Sequence, residues 1–171
     1  MNKNKMLKTE IYELIKSKKA MGISFIAQKL GISDKDAICE LDTEEGILLH
    51  KDNFEKIWEF LTGFGELTFT AYIKNSFIEV KTQANPGKNA FGYFNLNGTG
   101  ALNGHLKLED IAEIALLSVP FLHLESHQIA FLDNKGNILY SFFLSRKDHK
   151  LKECDVAKFK SLKEQFLCAH L

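Results

Sequence analysis

Glu66-Leu67-Thr68-Phe69-Thr70-Ala71-Tyr72-Ile73 alternates strictly. Leu67, Phe69, Ala71 and Ile73 share one side, and Glu66, Thr68, Thr70 and Tyr72 the other, as in a half-buried β-strand. Beyond Lys74-Asn75 the alternation resumes, with Ile78 and Val80 set against Phe77, Glu79 and Lys81. Further strands are expected at about residues 91–96, 104–108, 111–119, 123–132 and 138–145. The turn signals between them are Asn85-Pro86-Gly87, Asn97-Gly98, Asn103-Gly104 and Asn134-Lys135-Gly136. These spacers are too short for helical crossovers, so the sheet is predicted to be mostly antiparallel.

Upstream the period is helical. Leu7, Ile11, Leu14 and Ile15 line one helix face. A second helix is expected at residues 24–30, closed by Gly31, and a third at 34–41, capped by Ser33. A bridging helix at 53–61 gathers Phe54, Ile57, Trp58 and Leu61, and an amphipathic tail at 155–167 carries Val156, Phe159, Leu162 and Phe166. The predicted fold is α+β: a mostly antiparallel sheet, an N-terminal region resembling a helix-turn-helix (1–50), and a sheet domain with flanking helices (51–171). The last three strands are apolar on both faces, which demands a second layer. A dimer partner is the natural candidate for it.

The chain has 171 residues, 45% apolar and 26% charged, as expected of a folded soluble protein. No apolar run is long enough to span a bilayer. The N-terminal residues carry no secretory pattern. The three cysteines, Cys39, Cys154 and Cys168, form no CxxC pair, which suggests a reducing compartment and no zinc site. Cytoplasmic localisation is the expectation, with no membrane partner. Net charge is zero, which argues against non-specific nucleic-acid binding. Ile26-Ala27-Gln28-Lys29-Leu30-Gly31-Ile32-Ser33 has the shape of a helix-turn-helix start, but the next helix is Asp34-Lys35-Asp36-Ala37-Ile38-Cys39-Glu40. Residues 1–50 hold eight lysines and eight acids, and phosphates would be repelled by the helix meant to enter the groove. Structural packing or protein contact is the expected role.

Strand parity marks one segment for function. Phe94 and Leu96 fit a core, as do Leu106 and Leu108. Phe91, Tyr93 and Asn95 then face away from it on one strand, with His105 and Lys107 on the other. By the same logic Tyr72 lies on a non-core face. Such a set suits haem: His105, Tyr93 or Tyr72 could ligate iron, Phe91 could wall the macrocycle, and Lys107 or Lys88 could meet a propionate. A strand histidine is more often simply hydrogen-bonded or solvent-facing, and surface aromatics are more often cross-strand pairs or dimer contacts.

Gly92-Tyr93-Phe94-Asn95-Leu96-Asn97-Gly98 and Leu102-Asn103-Gly104-His105-Leu106-Lys107 stand between Leu67-Thr68-Phe69-Thr70-Ala71-Tyr72 and Phe142-Phe143-Leu144-Ser145-Arg146-Lys147-Asp148-His149. With Phe54-Glu55-Lys56-Ile57-Trp58 and Phe64-Gly65-Glu66-Leu67-Thr68, this order of motifs resembles the intracellular haem-utilisation carriers of the ChuX/HutX group, over about residues 20–166. The resemblance implies a homodimer that binds haem in the cytosol, buffers it, and passes it uncleaved to a haem-degrading enzyme. His105 matches that group's Gly-His histidine, Tyr93 its Gly-Tyr-Phe-Asn tyrosine, and Arg146, the sole arginine, its arginine near the end of the sheet. Two positions depart from the pattern. Tyr72 stands where some members have histidine, which shifts the expectation from a bis-histidine site toward tyrosine or single-histidine ligation. Lys147 replaces an acid.

The remaining histidines are read as structural. His50 and His170 are expected at the surface, His123 and His127 too far apart on one strand for a metal, and His149 in a turn. No nucleophile elbow, P-loop or acid–base pair in an enclosing pocket is visible, so the chain is read as a non-enzyme. The competing readings are a haem-modifying or haem-degrading enzyme, a haem-responsive regulator using the N-terminal helices, and a dimeric interaction module without ligand.

Overall fold

In the computed structural model, which describes residues 3–74 and 76–168, the alternating stretch is β2 (Leu67–Ile73). Asn75 of the expected turn and His170 lie outside the described residues. In chain order the helices α1 (Lys3–Lys16), α2 (Ile23–Leu30) and α3 (Asp34–Cys39) come first, followed by β1 (Gly46–His50) and α4 (Phe54–Thr62). After β2 come β3 (Ser76–Thr82), β4 (Gly87–Ala90), β5 (Tyr93–Leu96) and β6 (His105–Leu106). The chain continues through β7 (Glu113–Leu117), β8 (Gln128–Leu132), β9 (Ile138–Leu144), the short hairpin β10 (Arg146–Lys147) and β11 (Lys150–Leu151), and α5 (Glu153–Cys168).

Six strands form one antiparallel sheet in the order β1-β7-β8-β9-β2-β3, and β4-β5-β6 form a second, smaller one. The α+β architecture with a C-terminal helix is as the sequence predicts. The N-terminal region is less purely helical than expected, because Gly46–His50 pairs with Glu113–Leu117 as an edge strand. The expected strand at 123–132 begins only at Gln128. His123 therefore sits in an exposed turn, off the strand that was to carry it with His127.

The two-faced strands find both layers within the chain. Ala115, Leu117, Ala130 and Leu132 pack against Ile11, Ile23, Ile26 and Ile38 of α1–α3. On the other face, Ile114, Leu116, Ile129, Phe131 and Phe142 pack against Phe54, Ile57 and Trp58 of α4, Phe159 and Phe166 of α5, and Phe94 of the small sheet. The second layer expected from a dimer partner is thus supplied in cis. Helices α1–α3 can screen one sheet face because each presents an apolar stripe.

The helix-turn-helix-like segment is committed to this packing. Gly31 ends α2 at φ +67, and Ser33 with Asp36 closes a capping box on α3. The buried Asp34 accepts a hydrogen bond from the backbone N–H of Ile138 at 2.7 Å, and Lys35 pairs with Glu113 at 2.8 Å. The first residues of α3, which would meet DNA in a reader, instead hold the helix to the sheet.

Candidate functional site

Two places in the molecule gather chemistry. The first is the outer face of the small sheet. Parity holds there: Phe94 and Leu96 are buried, while Tyr93 and His105 are exposed. Asn95 pairs in register with His105 across β5 and β6. The Tyr93 and His105 rings meet edge to face with centroids 6.2 Å apart. Phe91 and Gly92, at φ +56 and +79, form the two-residue tip between β4 and β5. A pair of positive φ values is the signature of a type I′ hairpin turn. A phenylalanine there is strained, and its ring is 99% exposed. Lys107 lies beyond His105 and pairs loosely with Glu109 at 3.4 Å.

His105 is oriented by Asn95. The His105 Nδ1 lies 2.6 Å from Asn95 Oδ1. The two hydrogens of Asn95 Nδ2 are shared among the carbonyls of Tyr93 at 2.9 Å, Ala90 at 3.0 Å and Lys88 at 3.3 Å. From behind, Asn85 braces the loop that carries His105. Its Nδ2 donates to Leu102 O at 2.6 Å and reaches Asn103 Oδ1 at 3.3 Å, and its own carbonyl accepts from Trp58 Nε1 at 2.8 Å. Sequence reasoning placed Asn95 on this face without giving it a role, and missed Asn85. The available signal was Asn95 in the middle of a strand, a position asparagine disfavours without a specific bond to make.

The second place is a cavity of about 620 Å³ between α2 and the β2, β3 and β9 part of the sheet. Phe25, Phe77, Phe121 and Phe143 form apolar walls, and Tyr72, Thr70, Ser24 and Asp34 supply polar groups. The Thr70 hydroxyl has no hydrogen-bond partner among the described residues, and the Ser24 and Ser141 hydroxyls and the Gln128 amide nitrogen lie around the Tyr72 phenol without closing a well-formed bond. Buried polar atoms left unpaired cost free energy unless something else satisfies them. Burial pushes the Tyr72 phenol above its usual value, with the Asp34 charge acting the same way, and burial also raises the Asp34 carboxyl.

The sequence-selected residues therefore do not all converge. Phe91, Tyr93 and His105 share a face, with Lys107 next to it. Tyr72 belongs to the large sheet and faces α2, so within one chain the structure does not bring it to Tyr93. Its alternation was read correctly, but the face is not free of core as expected: Tyr72 packs against the second hydrophobic core, under α2. Arg146 is also apart: it donates to the Glu125 carbonyl and lines a shallow groove with His149 and Lys150. His149 and Asp148 form the exposed tip of the β10–β11 hairpin, both at positive φ. His127, in contrast, is buried and fully engaged, with Nδ1 3.0 Å from Ser118 Oγ, Nε2 2.9 Å from Glu125, and its ring against Phe159. No cluster of three or more metal-ligating side chains exists among the described residues, and no described helix is long and apolar enough to cross a membrane.

Comparison with known proteins identifies the family and the fold. Residues 47–162 match the family described as haem utilisation ChuX/HutX. The chain is 32% identical over 161 residues to the intracellular heme transport protein HutX of Vibrio cholerae, covering 93% of this chain and 83% of that one. A crystal structure of a protein from Erwinia carotovora superposes with a TM-score of 0.81 at 26% identity, over 91% of this chain and 97% of that one. The heme binding protein ChuX shares the fold, with a TM-score of 0.79 at 23% identity over 91% and 98% of the two chains.

Proposed function

Because the chain belongs to the ChuX/HutX haem-utilisation family, we propose that it binds haem in the cytoplasm, carries it without cleaving it, and passes it to a haem-degrading enzyme. The observation that carries this reading is the cavity beside Tyr72. Its volume of about 620 Å³ falls within the ~300–1,000 Å³ of small-molecule sites, and apolar walls with a few polar groups are what such sites present. The macrocycle would lie against Phe25, Phe121 and Phe143, with the Tyr72 phenolate on ferric iron. Lys74 at the cavity edge would face a propionate. A phenolate is a hard anionic donor and favours ferric over ferrous iron.

On this reading the His105 face has a different duty. His105 is exposed, and the imidazole offers a ligand through which iron can be taken up or given away. Tyr93 and Phe91 supply aromatic surface beside it. Lys107, next to His105, is kept as a propionate contact, and Arg146 stays in the proposal as a haem-binding residue by resemblance alone.

A homodimer is also part of the proposal. Strand β3 is an outer edge of the large sheet, and Ile73, Phe77 and Ile78 around it are all more than half exposed. An unpaired edge carrying large apolar side chains is a natural docking line for a second copy.

Haem titration of the purified protein, followed at the Soret band, tests the proposal. Saturable binding is expected. Tyr72→Phe should weaken it at least ten-fold and remove the phenolate signature, while His105→Ala should mainly slow haem transfer to apomyoglobin. Absence of a saturable Soret change in wild type would sink the carrier reading, and an unaffected Tyr72→Phe would remove the cavity from it.

A further inference from the structure

We propose that Asn95 is the positioning residue that makes His105 a ligand: it holds the imidazole in the Nδ1–H tautomer and leaves the Nε2 lone pair free to meet a metal. The argument starts from the amide. Three backbone carbonyls, those of Lys88, Ala90 and Tyr93, lie within hydrogen-bond distance of one end of the Asn95 side chain. Carbonyls only accept, so that end must be Nδ2, which only donates. The other end, 2.6 Å from His105 Nδ1, is therefore Oδ1. An oxygen at that distance requires a hydrogen on Nδ1. A neutral imidazole has one N–H, so Nε2 is bare, and among the described residues nothing is bonded to it.

This is the arrangement by which ligating histidines are oriented, the second nitrogen being tied to an acceptor so that ring direction and tautomer are fixed together. The β4–β5 hairpin supplies the rigidity. By spanning three of its carbonyls, Asn95 cannot flip without setting oxygen against oxygen. The acceptor is a neutral amide rather than a carboxylate, so it lends the imidazole less negative character. A weaker bond to ferric iron follows, as release demands. The geometry of the lock stands on its own; its purpose rests on the carrier reading of His105.

The test begins without haem. Long-range proton–nitrogen spectra of the labelled full-length protein at about pH 9, where an ordinary imidazole is neutral, report the tautomer of each ring. His105 is identified by its loss in His105→Gln. The wild type should show His105 as Nδ1–H. Asn95→Ala should turn it to the Nε2–H form. A wild-type His105 in the Nε2–H form overturns the proposal, and this needs no variant to fold. So does an unchanged tautomer in Asn95→Ala. With haem, Asn95→Ala should weaken the His105-dependent step about 10-fold, and the effect should vanish in a His105→Ala background. If the tautomer is as stated but His105→Ala leaves every haem measurement unchanged, the ligand role of His105 falls and the lock remains.

Discussion

Gly98→Ala probes the brace behind the His105 loop. The φ of Gly98 is not in the left-handed region, so alanine there meets no backbone strain. Replacing glycine in an ordinary conformation stabilises a protein by about 0.4–1 kcal/mol through the unfolded chain. Space decides otherwise. A Cβ on residue 98 would lie 2.4 Å from Asn85 Cγ, 2.5 Å from Oδ1 and 2.9 Å from Cβ. Rotating the Asn85 amide cannot relieve the last of these, because the Cβ atom stays where it is. Asn85 must therefore shift, and its bonds to Leu102 O and Asn103 go with it. An overpacked site costs about 1–3 kcal/mol, and a buried group left unpaired about 1–3 kcal/mol more. A net loss of about 3 kcal/mol is expected, roughly 6–12 °C in Tm for a domain of this size. Urea unfolding gives the first figure, differential scanning calorimetry the second, and the His105 cross-peaks should shift because the loop moves. An unfolding free energy within about 0.5 kcal/mol of wild type would show that the asparagine does not hold the loop.

Two other perturbations test separate parts of the structure. Burial, opposed by Glu125, pulls the His127 imidazole below its ordinary 6.5. The unfolded chain then takes up the proton first as pH falls, so stability should drop through the window below about 6.5. His127→Gln should flatten that slope in urea midpoints measured between about pH 7.5 and 5, and an unchanged slope would exonerate the histidine. Ile78→Lys, on the exposed edge strand β3, should convert a dimer to a monomer by light scattering at micromolar concentration while leaving the Tm of the monomer nearly intact. A wild type already monomeric there, or a variant still dimeric, would place the interface elsewhere or nowhere.

The sequence disclosed the parts of the fold that carry their own periodicity. Leu67–Ile73 shows its strand because half of it is buried on one side. Phe94 and Leu96 show theirs for the same reason. Strand Gly46–His50 hid because Gly-Ile-Leu-Leu-His is a short apolar run, and such a run reads equally as buried helix or strand. Its partner is far along the chain, at Glu113–Leu117. Gly87–Ala90 hid for the opposite reason: Gly-Lys-Asn-Ala has little strand preference, and pairing with β5 imposes the conformation. The cis layers on both faces of the large sheet were legible as apolar helix stripes, but nothing in a stripe says which sheet face it will cover.

The same blindness explains the candidate site. Parity states which side of a strand a residue takes, not what lies over that side. For Tyr93 and His105 the side is open to solvent; for Tyr72 it is closed by α2 into a cavity. As proposed donors, Tyr72 and His105 therefore differ in kind, although alternation treats them alike. To ligate as proposed, the Tyr72 phenol must give up a proton that burial makes it hold more tightly. An exposed imidazole with its tautomer already fixed needs neither deprotonation nor reorientation, so it can exchange quickly. On the carrier reading this division is useful: retention would come from an anionic donor inside a cavity, and transfer from a neutral one open to solvent and ready in advance. A carrier with only the first kind would hold its cargo against every acceptor, and one with only the second would lose it to any competing imidazole.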